Sequence, residues 1–272
     1  MKNKSIIPAV LFLLLALACA TNPVTGKKTL ALVDNSAILP SAFQQYNDFL
    51  KTNKVVAGTA DAKRVELVGN KIRAAAEKLL AARGQSAALK DYRWEYKLIE
   101  SKEVNAWCMP GGKIAFYTGI LPITKDEAGI AVVMGHEVAH ALLNHGQQRM
   151  SGGVLAELGA GLVGAAVGGK SEQTQALAMQ AYGAGAQFGA LLPFSRSHET
   201  EADEIGLILM TIAGYNPDVA VPFWQRMAAQ SGGKEPAEFM STHPSNSTRI
   251  ANIQQQIPIA RREAAKLGVT PK

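Results

Sequence analysis

Aromatic, charged and cysteine residues are all scarce in this 272-residue chain. Phe, Trp and Tyr make up 6% of it, the charged residues 18%, and there are two cysteines, Cys19 and Cys108. Two cysteines are too few for a disulfide framework, so an apolar core must carry the fold. The charged fraction lies below the ~25% of ordinary soluble domains, so some segment has to be unusually bland. A net charge of +6 with few aromatics among the basic residues argues against a nucleic-acid footprint and leaves weak attraction to anionic surfaces. Long apolar runs are scarce as well: the N-terminal one ends by Ala18, which argues against a polytopic membrane protein. Apolar residues still make up 47%, so disorder is excluded, and the length suffices for one or two domains.

The N-terminus has the layout of a secretory signal. Lys2 and Lys4 form a basic region, Ile6 to Ala18 an apolar one, and Leu-Ala-Leu-Ala-Cys (15–19) ends in small residues and a cysteine. That cysteine resembles the acceptor of a bacterial lipobox, with Ala16 where the pattern prefers Leu. Residues 1–18 are therefore expected to be a lipoprotein signal peptide, with Cys19 lipidated and anchoring the chain to a membrane. Residues 19–35, with Asn-Pro-Val-Thr-Gly, read as a turn-rich tether. Cys108 is then a lone buried thiol in an oxidising compartment. Ala20 after the cysteine points, by resemblance to bacterial sorting, to the outer membrane.

From about Ser36 to Ala82 the apolar spacing is helical: Val65, Val68, Ile72, Ala75, Ala76 and Leu79 recur at three and four, and Gly84 suits the stop. Tyr92 to Ile99 alternates and reads as a strand. Trp107–Met109 and Ile114–Tyr117 flank Pro110-Gly111-Gly112, which reads as a hairpin. Thr124 to Glu127 has the Thr-x-x-Glu form of a capping box, predicting a helix that starts there and continues through His145. Residues 151–192 hold ten of the 25 glycines and only three charges, Glu157, Lys170 and Glu172. They are expected to be a mobile insert of small-residue helices packed closely on the body. The alternative is a pair of loosely packed helices near a membrane or substrate. A second helix is predicted from about Ser197 to Ala213, ending at Gly214, and residues 256–272 as a C-terminal helical tail.

His136-Glu137-Val138-Ala139-His140 carries the chemistry. At 3.6 residues per turn, His136 and His140 share a helix face and can hold one metal ion. Glu137 sits beside that face, where its carboxylate can take a proton from the attacking water. Zinc would lower that water's pKa toward ~7 and polarise the scissile carbonyl. A catalytic zinc needs a third protein ligand. The candidates are His145, His198, His243 and the cluster Glu199, Glu201, Asp203 and Glu204. A metzincin would place a histidine at 146, which is Gly146, and His145 is one residue short. Glu199 and Asp203 share a helix face, with Glu201 roughly opposite. A ligand at Glu199 with Asp203 holding a ligand histidine's other nitrogen is a coherent arrangement.

His136–His140 followed by Ser195-Arg196-Ser197-His198-Glu199-x-Glu201-Ala202-Asp203 resembles the gluzincin metalloendopeptidases of peptidase family 48. The resemblance extends to Asn105-Ala-Trp-Cys-Met-Pro110-Gly-Gly, Ala213-Gly-Tyr-Asn-Pro217 and Thr242-His243-Pro244-Ser-x-x-x-Arg249-Ile250, so it covers roughly residues 40–255. Thr21–Gly26 after the lipobox looks most like the periplasmic-lipoprotein branch of LoiP and BepA. The resemblance implies an α+β, mostly helical, zincin-like domain over 36–255, with a small sheet or hairpin beside the motif helix. It implies one Zn2+ per chain on His136, His140 and Glu199, Glu137 as catalytic base and Asp203 as a proton donor. His243 is a candidate fourth ligand or transition-state contact, and Arg249 a candidate oxyanion or substrate contact. His145 and His198 read as supporting or surface residues. One departure is Trp107-Cys108, where relatives often carry smaller or aliphatic residues. Substrate would add as a strand to an open edge, either Asn105–Met109 or Ile114–Tyr117.

The expected function is a zinc endopeptidase in a bacterial envelope, facing the periplasm, that hydrolyses misfolded or misassembled envelope proteins, with outer-membrane assembly factors as candidate partners. A chaperone-like module with a shut zinc site and a cell-wall amide hydrolase are the rival expectations.

Overall fold

The computed structural model describes residues 19–186, 192–230, 239, 243 and 247–271. The predicted signal peptide lies outside the described residues. The chain is mostly helical with two small sheets, the α+β class expected.

Residues 19–35 are a docked strap, not a loose tether. Strands β1 (Cys19–Thr21) and β2 (Lys28–Leu30) pair antiparallel, with Cys19 exposed. Between them, Asn22 Oδ1 accepts from the amides of Val24 and Thr25, and its Nδ2 donates to the Leu143 carbonyl at 2.8 Å. Val24 joins the core. The Leu32 amide donates to Ser151 Oγ and Gln147 Nε2 to the Val33 carbonyl, so the segment is tied to the body along its length.

The helical stretch expected over 36–82 is two helices, α1 (Asn35–Thr52), capped by Asp34, and α2 (Ala60–Ala82), capped by Thr59. Val55–Val56 between them forms strand β3, since paired β-branched residues suit a sheet edge. The apolar positions of α2 are buried as their spacing predicts. Strands β4 (Glu95–Ile99), β5 (Ala106–Met109) and β6 (Lys113–Tyr117) complete a sheet of order β3-β4-β6-β5, with β6 parallel to β4 and antiparallel to β5. The predicted hairpin is present, turning on Gly111 (φ +86) and Gly112 (φ +82), where a side chain would be strained. Of the two candidate edges, β5 is the outer one.

The motif helix α3 (Glu127–Leu142) starts at Asp126, not at Thr124. Asp126 accepts from the Gly129 amide at 2.9 Å, whereas the Thr124 hydroxyl bonds back to Leu121. Every residue from 129 to 142 is buried. The helix does not continue through His145 either. Asn144 adopts a left-handed conformation (φ +56), and α4 (His145–Val167) begins afresh.

Helix α4 and helix α5 (Glu172–Ala186) form a hairpin. Close packing on the body was expected, but only the first turns of α4 are buried, at His145, Gln147, Gln148 and Ser151. Farther out, Leu158, Leu162 and Leu177 are exposed, Leu162 by 69%. The two helices pack on each other instead. The Tyr182 hydroxyl donates to the Ala156 carbonyl, and Gly159 leaves room for that ring. Glycine and alanine allow close helix approach but supply little side-chain volume to bury against a third element. By length and composition α4 is long and apolar enough to cross a membrane.

Helix α6 (Leu192–Ile212) begins earlier than predicted and ends before Gly214 (φ +91). After α7 (Ala220–Gln230), α8 (Ser247–Lys266) runs through the expected boundary at 255. Ile253, Ala260 and Ala264 bury it in the core, so no separate tail exists there. Helix α3 packs most extensively on α6, and the two meet through glycines. A Cβ on Gly135 would lie 2.7 Å from the Gly206 carbonyl, and one on Gly206 2.8 Å from the His136 amide nitrogen.

Candidate metal centre

That glycine contact sets the ligand-bearing faces of α3 and α6 against each other. His136 and His140 project from one face of α3, with Nε2 atoms 3.1 Å apart. Glu199, two turns before Gly206 on α6, places Oε2 3.3 Å from His136 Nε2 and Oε1 3.3 Å from His140 Nε2. His243 adds Nδ1, 3.1 Å from His136 Nε2 and 2.9 Å from Glu199 Oε2. One donor atom from each of these four residues lies within 4.8 Å of the others.

The residues fit zinc. Zinc takes imidazole nitrogen and carboxylate oxygen at ~2.0–2.1 Å in a tetrahedron, whose edges are then about 3.3–3.4 Å. The spacings above match that shape, and the two Nε2 atoms face each other with Glu199 across them. Glu201, the alternative acid on α6, is turned away, paired with Lys27 of the strap.

Asp203 reaches His136 from the other side, Oδ1 to Nδ1 at 3.0 Å. Its carboxylate also accepts from Arg249 Nε at 2.7 Å and Nη2 at 2.8 Å. Burial would raise the Asp203 pKa, but Arg249 and His136 hold it below its ordinary value. Asp203 thus holds the Nδ1 side of the His136 ring, the arrangement its place on α6 suggested. Arg249 also donates to the His243 carbonyl and lies 3.7 Å above the Trp224 ring. Arg249 thereby anchors Asp203, and its Nη1 also lies 3.3 Å from Glu199 Oε2. Trp224 was missed in the sequence, where nothing distinguishes it from a core aromatic.

Glu137 is buried, and burial raises its pKa. Among the described residues its Oε1 accepts no hydrogen bond, and it lies 3.5 Å from His243 Nε2. Burial alone would lower the His136 pKa; the carboxylates of Asp203 and Glu199 outweigh it and push it up to about 9. For His140 burial prevails, down to about 3. Burial would raise the Glu199 pKa, but the three histidines hold it far below the carboxylate range. Cys108 on β5 is half-buried. Burial, then the Glu137 charge, pushes its thiol well above the ordinary value.

His145 and His198 are both buried and stack in parallel, ring centroids 4.0 Å apart. A surface role is excluded for either. His145 Nδ1 lies 2.9 Å from His140 Nδ1.

The family model for peptidase family M48 matches residues 67–257. The mitochondrial metalloendopeptidase OMA1 of Schizosaccharomyces pombe is 37% identical over 187 residues, 68% of this chain and 52% of that protein. OMA1 of Saccharomyces cerevisiae is 35% identical over 183 residues, covering 64% and 50%. The β-barrel assembly-enhancing protease of Escherichia coli is 27% identical over 171 residues, covering 60% and 34%. The chain thus spans about half the length of the first relatives. These matches overturn the expected bacterial outer-membrane location and the special likeness to periplasmic lipoproteins. The two fungal mitochondrial proteins match at higher identity than the β-barrel assembly-enhancing proteases, at 27–28%.

Proposed function

The chain belongs to peptidase family M48, and from that premise we propose that it is a zinc-dependent endopeptidase acting on extended segments of misfolded or misassembled proteins. The observation that carries this reading is the convergence of His136, His140 and Glu199 on one point with Glu137 beside it. When bound, zinc lowers the pKa of the attacking water toward ~7 and polarises the scissile carbonyl. Glu137 takes the proton of that water and passes it to the leaving amine. Its burial raises its basicity, which suits a group that must accept a proton before giving it away. Asp203 fixes the ring of His136, and Arg249 fixes Asp203. The outer edge of β5 supports the substrate reading, because it can pair with the backbone of an extended chain and so favours unfolded segments over folded ones.

The test measures zinc content and cleavage of a loosely folded protein side by side. Parent protein should hold one zinc per chain and cleave, and chelated protein should not cleave. Cleavage that survives complete metal removal ends this reading.

The position of His243 favours a second reading, in which the centre is shut at rest while the protein binds unfolded clients. His243 Nδ1 stands among the donors, where the open position of a catalytic zinc would be. Under this reading His243→Ala cleaves faster than parent, and the inactive Glu137→Gln variant still suppresses aggregation of an unfolding protein. A slower His243→Ala enzyme together with no such suppression excludes it.

A further inference from the structure

We infer that His145 is a positioning residue for the metal centre: it accepts the Nδ1 proton of His140. The inference rests on the metal-centre reading above and deepens it.

A ligand histidine works best when its second nitrogen donates to a fixed acceptor, which sets the tautomer and the ring plane. His136 has Asp203 for this purpose. Among the described residues His140 has His145 Nδ1 at its Nδ1, at 2.9 Å, in place of a carboxylate. An N–H···N contact needs one donor and one acceptor. His140 must present a lone pair at Nε2, which faces His136 and Glu199, so its proton sits on Nδ1. His145 Nδ1 is therefore the acceptor, and the proton of His145 sits on Nε2. That nitrogen is buried and makes no hydrogen bond among the described residues, and Glu201 Oε2 lies 3.5 Å from it. The other oxygen of Glu201 meets Lys27.

The backbone is bent to make this contact. On an uninterrupted helix, a residue five places after His140 would lie ~140° around the axis from it. The left-handed Asn144 breaks the helix and swings His145 back. The Leu143 carbonyl at the break is taken up by Asn22 Nδ2 and Gln148 Nε2, each at 2.8 Å. The ring of His198 stacks on that of His145, and His198 Nε2 lies 3.3 Å from Gln148 Oε1. Asparagine adopts that conformation readily, and here it brings His145 to His140.

The first measurement uses the zinc-loaded full chain labelled with 15N-histidine. A scalar coupling between His140 Nδ1 and His145 Nδ1, carried through one proton bonded to His140, is expected. A proton on His140 Nε2, or no coupling, overturns the proposal even if no variant folds. The second measurement is zinc affinity by chelator competition, with the visible spectrum of the cobalt(II)-loaded protein. His145→Leu should weaken zinc by about 10–100-fold and alter the cobalt spectrum. His145→Asn, which keeps an acceptor near the Nδ1 position, should restore most of the loss. His198→Leu removes packing but not the acceptor and should bind zinc nearly as parent does. Parent-like affinity in His145→Leu, or an equal loss in His198→Leu, overturns the proposal. His136→Ala tests the centre itself: if it keeps zinc, the metal assignment fails, whatever His145 does.

Discussion

Arg249 grips Asp203 with two parallel hydrogen bonds, Nε to Oδ2 at 2.7 Å and Nη2 to Oδ1 at 2.8 Å, and both side chains are buried. Removing one member of such a pair strands the other charge, at a cost of about 3–5 kcal/mol. Arg249→Met is therefore expected to lower unfolding stability by that amount in metal-free protein, read by urea denaturation. A loss under about 1 kcal/mol would show that the pair is not what holds Asp203 in place.

Glu137→Gln keeps the shape of the site and removes the base. Its cleavage rate should fall by about 10^2–10^4-fold or more, while zinc content stays at one per chain. Steady-state proteolysis with metal analysis checks both together. An unchanged rate would assign the proton transfer elsewhere.

The acidic residues of α6 separate cleanly by their contacts. His136→Ala and Glu199→Ala should lose zinc and activity together. Glu201→Ala should keep stoichiometric zinc, because its carboxylate faces Lys27 and His145, away from the donors. Metal analysis after dialysis distinguishes the three, and zinc loss confined to Glu201→Ala would reverse the assignment.

Away from the centre, Glu95 on β4 accepts from Lys113 on β6 at 2.8 Å. Burial would raise the Glu95 pKa, but Lys113 and Lys97 hold it below its ordinary value. A carboxyl depressed in the folded state stabilises fully above its unfolded pKa, and that stability is lost as pH falls through the folded value. Glu95→Gln should thus be less stable than parent by about 0.5–1 kcal/mol at neutral pH. The difference should shrink as pH falls below about 4. Denaturation curves at both pH values check it; a gap that persists in acid would mean lost packing, not lost charge.

Features written in nearby residues were legible from the sequence. The burial of Val68, Ile72 and Leu79 follows from a three-and-four spacing, the Pro110–Gly112 turn from its glycines, and the shared face of His136 and His140 from helix geometry. Glu199 was separable from Glu201 on the same periodic ground. The pairing of Arg249 with Asp203 was not legible because the two lie 46 residues apart and only the packing of α8 on α6 joins them. The break at Asn144 was invisible because asparagine is ordinary in a helix and in the left-handed region alike, and the conformation was selected by tertiary contacts at Leu143. The docking of residues 19–35 escaped for a similar reason: Asn22 finds its partner, the Leu143 carbonyl, across the fold.

The meeting of Gly135 and Gly206 sets how freely the rest of the chain can vary. Backbone touches backbone there, so no layer of compressible side chains separates the helix carrying His136 and His140 from the helix carrying Glu199 and Asp203. The two behave as one cross-braced strut, fixed by main-chain atoms that no surface substitution alters. The α4–α5 hairpin is threaded between these ligands in sequence but stands outside the brace in space. Its outer part, residues 153–186, is therefore free to diverge in length and character while the spacing of the donors stays the same.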